Sequence, residues 1–117
     1  MSLDLTTYEN LLAAITVEDG IAVHDPATHG FIGNTADSST DDVDAAVARA
    51  KEAQKSWGAL THAERSGYLH KAADAVKESA EALAEILARE VGKPLNGPNA
   101  RFEAGACEAW LRANADF

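Results

Sequence analysis

A chain of 117 residues is the size of one domain and can bury roughly two thirds of the surface its unfolded form exposes. With aromatics at only 6% and much of the apolar content supplied by Ala, helices packed closely through small residues are expected. The net charge of -9 argues against nucleic acid, and the single Cys excludes an internal disulfide or a CxxC pair.

No apolar run approaches the roughly 20 residues that cross a bilayer, and Asp4 and Glu9 without early Lys or Arg contradict a signal peptide. The expectation is a cytoplasmic protein with no membrane and no nucleic-acid partner.

Thr6-Thr7-Tyr8-Glu9 has the Thr-x-x-Glu spacing of a capping box, and Tyr8, Leu11, Leu12 and Ile15 follow at helical intervals. This predicts a short opening helix within residues 1–19. Ile21 and Val23 alternate with smaller or polar residues after Asp19-Gly20, and Phe31-Ile32 follow a turn, which predicts a β-hairpin over 20–35. Pro26 suits the second turn position, Asp25 can bond forward to the turn backbone, and Gly30 is expected to take positive φ.

Helices are expected over 39–117. Ser39 or Thr40 can cap the first of them, Asp41, Asp42 and Asp44 favour its N-terminal dipole, and Lys51 and Lys55 lie towards the other end. Val43, Val47, Ala50, Ala53 and Trp57 mark a face expected to be buried, before Gly58 interrupts the pattern. Thr61 to Glu64 repeats the capping-box spacing ahead of Leu69, Ala72 and Val76. Leu83, Ile86, Leu87 and Val91 continue the period. One long helix and two helices broken near Ser79 are both admissible, with the break at Ser79 favoured. Gly92 and Pro94 stop the helix. Pro98 is expected to open a last helix with Phe102, Ala106, Trp110, Ala113 and Phe117 along one stripe.

Asp25-Pro26-Ala27-Thr28, the Ala-rich helix from Asp41 to Trp57, Glu64-Arg65, and Glu90 to Pro94 occur in an order that resembles the N-terminal region of the aldehyde dehydrogenase superfamily, over about residues 20–115. One departure is His29, which stands before Gly30 where the family usually reads Asp-Pro-Ala-Thr-Gly.

The resemblance implies that this mainly α fragment with a short N-terminal β-hairpin comes from an α/β parent with a Rossmann-type cofactor domain. Residues 1–117 would be a single unit, the incomplete N-terminal part of that dinucleotide-binding domain. The family oxidises an aldehyde to a carboxylic acid with NAD or NADP. It does so through a Cys thiolate, an oxyanion-holding Asn and backbone amide, and a Glu base, and none of those motif positions falls within this chain. No catalytic, cofactor-binding or metal residue is therefore expected here, and no cofactor in the fragment alone. The implied partners are the remainder of the parent enzyme and further copies in a homo-oligomer. The apolar stripe that runs to Phe117 suggests a polypeptide that continues. The alternative is a stand-alone helical interaction module that grips a partner through Trp110, Ala113 and Phe117.

Candidate chemistry within the chain reads as structural. Phe102 and Gly105 ahead of Cys107 are superficially similar to the family's catalytic segment, but the Gly-to-Cys spacing differs, and Glu103 and Glu108 disfavour a thiolate. His24 and His29 flank the turn, while His62 and His70 lie over two helical turns apart, so no metal-ligand spacing emerges. Gly92-Lys93 lacks the preceding Gly and following Ser or Thr of a phosphate-binding loop, and no Gly-x-Gly-x-x-Gly occurs.

Overall fold

A computed structural model describes residues 4–117. Its elements are α1 (Tyr8–Ile15), β1 (Ile21–His24), β2 (Phe31–Thr35), α2 (Thr40–Ala59), α3 (His62–Glu78), α4 (Ala80–Val91) and α5 (Ala100–Asp116). The protein is mainly helical with one antiparallel hairpin, as the sequence predicts. No helix among the described residues is long and apolar enough to cross a membrane.

The helix starts follow local polar chemistry. Ser39 caps α2 in a box with Asp42, and Thr61 caps α3 in a box with Glu64, each hydroxyl accepting the amide three residues on while that residue's carboxylate accepts the cap amide. The opening helix differs from expectation. Thr7 is its cap and accepts from the Asn10 amide, while Thr6 donates both its amide and its hydroxyl to Asp4, so the Thr6–Glu9 box does not form.

The break at Ser79 is present, although neither Gly nor Pro marks it. Ser79 has φ -96° and ψ 6°, its amide still donates to Ala75, and α4 begins one residue later. At the other end of α4, Gly92 takes φ 67° and ends the helix in the left-handed conformation. The last helix starts later than expected: Pro98 and Asn99 form a turn, and α5 begins at Ala100.

In the hairpin, Ile21 faces Thr35, Ala22 faces Asn34 and Val23 faces Gly33, after which a register shift brings His24 opposite Phe31. A side chain at Gly20 would collide with the Thr35 carbonyl oxygen, only 2.1 Å from where its Cβ would lie, so the entry to β1 requires glycine.

The core is built on small residues. Leu11, Ala82 and Ile86 join α1 to α4, supported by Leu5, Tyr8, Leu12 and Leu83. Ala84, Ala100 and Ala104 join α4 to α5, supported by Leu83, Leu87, Ala88 and Leu95. Alanine contacts let helix backbones approach closely while burying little apolar area per residue.

Ion pairs stitch the surface of this bundle. Arg112 reaches Asp74 at 2.7 Å, and His70 Nε2 lies 3.2 Å from Asp116 Oδ1, so α5 runs antiparallel to α3. Arg101 makes a two-pronged contact with Glu81, at 3.0 Å from Nε and 2.9 Å from the terminal nitrogen.

Two apolar expectations, on α2 and α3, need correction. The α2 face of Val43, Val47, Ala50 and Ala53 is exposed, and only Trp57 is half-buried, its ring 5.7 Å from that of Tyr68. The helix also runs through Gly58 to Ala59. On α3, Ala72 faces solvent and its neighbour Ala73 is the buried residue. On α5, Phe102, Trp110 and Phe117 are exposed, while Ala100, Ala104 and Ala115 are buried. Helical period identifies an apolar stripe, but a stripe is buried only where another element lies across it.

Candidate functional site

Two motifs that are distant in sequence meet in space. The turn after β1 is closed by the Asp25 amide donating to the Gly30 carbonyl at 2.9 Å and by the His29 amide donating to the Asp25 carbonyl at 2.8 Å. Asp25 Oδ1 also accepts from the Ala27 and Thr28 amides, at 2.8 Å and 3.2 Å. Positive φ falls on His29, at 59°, and not on Gly30 as expected. The reversal is complete by residue 29, which leaves Gly30 to lead into β2.

Pro26 of this turn packs on the end of α4. A Cβ at Gly92 would lie 2.8 Å from Pro26 Cγ, so the bare backbone of the helix stop is what allows the turn to sit there. Lys93 then pairs with Glu103 and ties the following loop to α5. Arg65 has a similar role, donating to the Leu60 carbonyl across the α2–α3 turn. These contacts place elements relative to one another and gather no nucleophile, base or phosphate cradle.

Cys107 is exposed on α5, eight residues into the helix and away from its N-terminus. It lines an open groove of about 290 Å³ between α4 and α5, with Leu83, Ile86, Leu87 and Ala104 as walls and Glu90 and Glu103 at the edge. No Lys, Arg or His lines that groove.

The four histidines do not converge. His24 meets Phe31 edge-on at 5.8 Å, His29 lies in the turn, His62 opens α3, and His70 faces Asp116. Among the described residues, no three His, Cys, Asp or Glu side chains come together as a metal site.

Hydrogen bonds from the Ser39 hydroxyl and amide hold Asp42 below the ordinary carboxylate range, and those from the Thr61 amide and hydroxyl do the same for Glu64. The Arg112 guanidinium lowers Asp74, and Arg101 lowers Glu81. Each of these carboxylates is stabilised in its charged form, the reverse of what a general acid at neutral pH requires.

What the chain does offer is surface. Its accessible area is 8321 Å², whereas a compact chain of this mass exposes about 6,100 Å². Its radius of gyration is 16.7 Å, against about 13 Å for a compact domain. The surplus of roughly 2,000 Å² is of the order that stable protein interfaces bury. It includes large apolar groups: Trp110 is 70% exposed and Phe117 96% on α5, and Val43 is 55% exposed on α2. The α5 aromatics were readable from their spacing, but the openness of α2 was not.

Residues 14–116 match the aldehyde dehydrogenase family. The chain belongs to that family. It is 41% identical over 76 residues to the NADP-dependent glyceraldehyde-3-phosphate dehydrogenase of Streptococcus equinus, covering 65% of this chain and 16% of that protein. It is 39% identical over 111 residues to the alpha-ketoglutaric semialdehyde dehydrogenase of Bacillus subtilis (strain 168), covering 91% of this chain and 22% of that protein. The chain thus spans less than a quarter of the length of these dehydrogenase relatives.

Proposed function

We propose that this chain is the N-terminal scaffold portion of an enzyme that oxidises an aldehyde to a carboxylic acid with NAD or NADP, and that it is inactive alone. The supporting observation is the surplus surface with its exposed apolar helix faces, in a family member spanning a small part of its relatives' length. Residues 1–117 form one unit, the incomplete N-terminal part of the dinucleotide-binding domain. The remainder of the enzyme covers the open faces, and it supplies the thiol, the base and the cofactor site. Cys107 is a structural residue, the histidines bind no metal, and no residue of this chain is catalytic. The complete enzyme is a cytoplasmic homo-oligomer.

The test begins with the mass of the native gene product in its source cells, detected with an antibody raised against this chain. A species several times larger than 12.3 kDa that forms NAD(P)H when given aldehydes is the expected result. A product of about this chain's own mass sinks the reading and favours an independent interaction module.

A further inference from the structure

Of the five asparagines in the chain, only Asn96 precedes a glycine. The main-chain nitrogen that follows an asparagine can attack the side-chain carbonyl and close a five-membered ring, and a side chain on that following residue is the chief steric obstacle. Gly97 has none. It takes φ 75° in the exposed loop between α4 and α5, and its amide donates to no group among the described residues. The nucleophilic nitrogen is therefore unshielded and unoccupied. The other four asparagines differ. Asn10 and Asn114 lie within α1 and α5, Asn34 is followed in β2 by the β-branched Thr35, and the amide after Asn99 is spent on the Pro94 carbonyl at 3.2 Å.

The carbonyl under attack is prepared as well. Arg101 Nη1 donates to Asn96 Oδ1, while Nε and Nη2 of the same guanidinium are held by Glu81 at 3.0 Å and 2.9 Å. A cation on a carbonyl oxygen draws electron density from the carbon and stabilises the negative charge that gathers on the oxygen as the nitrogen adds. The Asn96 main-chain carbonyl is fixed separately, by Asn99 Nδ2 at 2.7 Å.

We propose that Asn96-Gly97 is a self-modification site at which Arg101 promotes deamidation. The Gly97 nitrogen bonds to Asn96 Cγ, the Cγ–Nδ2 bond breaks, and ammonia leaves with the proton that the Gly97 amide gives up. Water then opens the succinimide at one of its two carbonyls and leaves an aspartyl or an isoaspartyl residue, so water is the only co-reactant. The aspartyl product keeps Arg101 in place through a charge-assisted hydrogen bond. The isoaspartyl product adds one carbon to the main chain inside a loop closed by the Ala100 amide on the Pro94 carbonyl, at 3.2 Å, and the Arg101 amide on the Leu95 carbonyl, at 3.1 Å. It thereby loosens the start of α5. The step uses no group outside α4, this loop and α5, so it is independent of the aldehyde chemistry proposed for the parent enzyme.

The complete gene product, incubated folded at mildly alkaline pH and mapped by peptide mass spectrometry, tests the proposal, with a zero-time digest to subtract conversion during handling. The segment holding Asn96 should gain the mass of an amide-to-acid exchange before any other asparagine does, and protein isoaspartyl methyltransferase should label it. Arg101→Gln should slow the conversion about tenfold, less than the loss of a buried oxyanion donor causes because this site is exposed. Glu81→Gln breaks the same bridge to α4 but spares the contact with Asn96, and it should leave the rate unchanged. No conversion at Asn96 in the folded product, or earlier conversion at another asparagine, overturns the proposal. So does an Arg101→Gln product that converts as fast as the parent or faster, or a Glu81→Gln product slowed to the same degree as Arg101→Gln.

Discussion

His29 carries the most local strain in the turn. At φ 59° a residue with a Cβ sits in a region that costs L-amino acids about 1–2 kcal/mol. His29→Gly should therefore raise stability by up to about 1 kcal/mol after the extra chain entropy of glycine is deducted, seen as a higher urea midpoint at unchanged slope. A lower midpoint would refute the left-handed assignment. Gly92→Ala should act in the opposite sense, losing about 1–2 kcal/mol to positive φ, and it must also displace Pro26 from 2.8 Å. Thermal melts of the single variants and of the pair with Pro26→Ala would show the steric part as coupling between the two sites. The sequence located both the turn and the helix stop from Pro and Gly. It could not place the positive φ, because which residue turns left-handed depends on where the closing hydrogen bonds fall, nor could it show that Pro26 and Gly92 touch.

The helices show the same division between local and distant causes. The boxes at Ser39–Asp42 and Thr61–Glu64 are set within four residues, and the spacing identified α3's start directly. The face of α2 depends on a covering element that its own sequence does not specify, so a regular apolar period led to burial that is absent here. The α3–α5 and α4–α5 pairings have a pH signature. Asp74 and Glu81 titrate below their ordinary values of 3.8 and 4.5 because Arg112 and Arg101 bind their charged forms. Lowered folded-state values mean that their contribution is complete above the ordinary carboxylate range and is lost as pH falls through the lower folded values. Acid titration followed by circular dichroism should therefore show helix loss setting in below about pH 4, and Asp74→Asn with Glu81→Gln should make that loss less steep. An unchanged acid limb would mean that these exposed pairs are screened to insignificance.

Taken as a whole, the molecule has more surface than its mass warrants, and the two open faces differ in charge. Residues 49–117 are balanced, so α5 with Phe102, Trp110 and Phe117 is where copies of the isolated chain can meet without repulsion. Sedimentation of the 117-residue chain should show concentration-dependent association that salt promotes and Trp110→Ala weakens, and a clean monomer at high concentration would contradict this. The interior has a separate consequence. Among the described residues, six of the eight buried apolar ones, Ala73, Ala82, Ala84, Ala100, Ala104 and Ala115, are alanines. At those six positions truncating mutations find almost nothing to remove, so the familiar penalty for hollowing out a core falls instead on Leu11, Ile86 and the half-buried leucines packed against them. The weakness of this interior lies in growth, since each added methylene at these crossings forces two backbones apart.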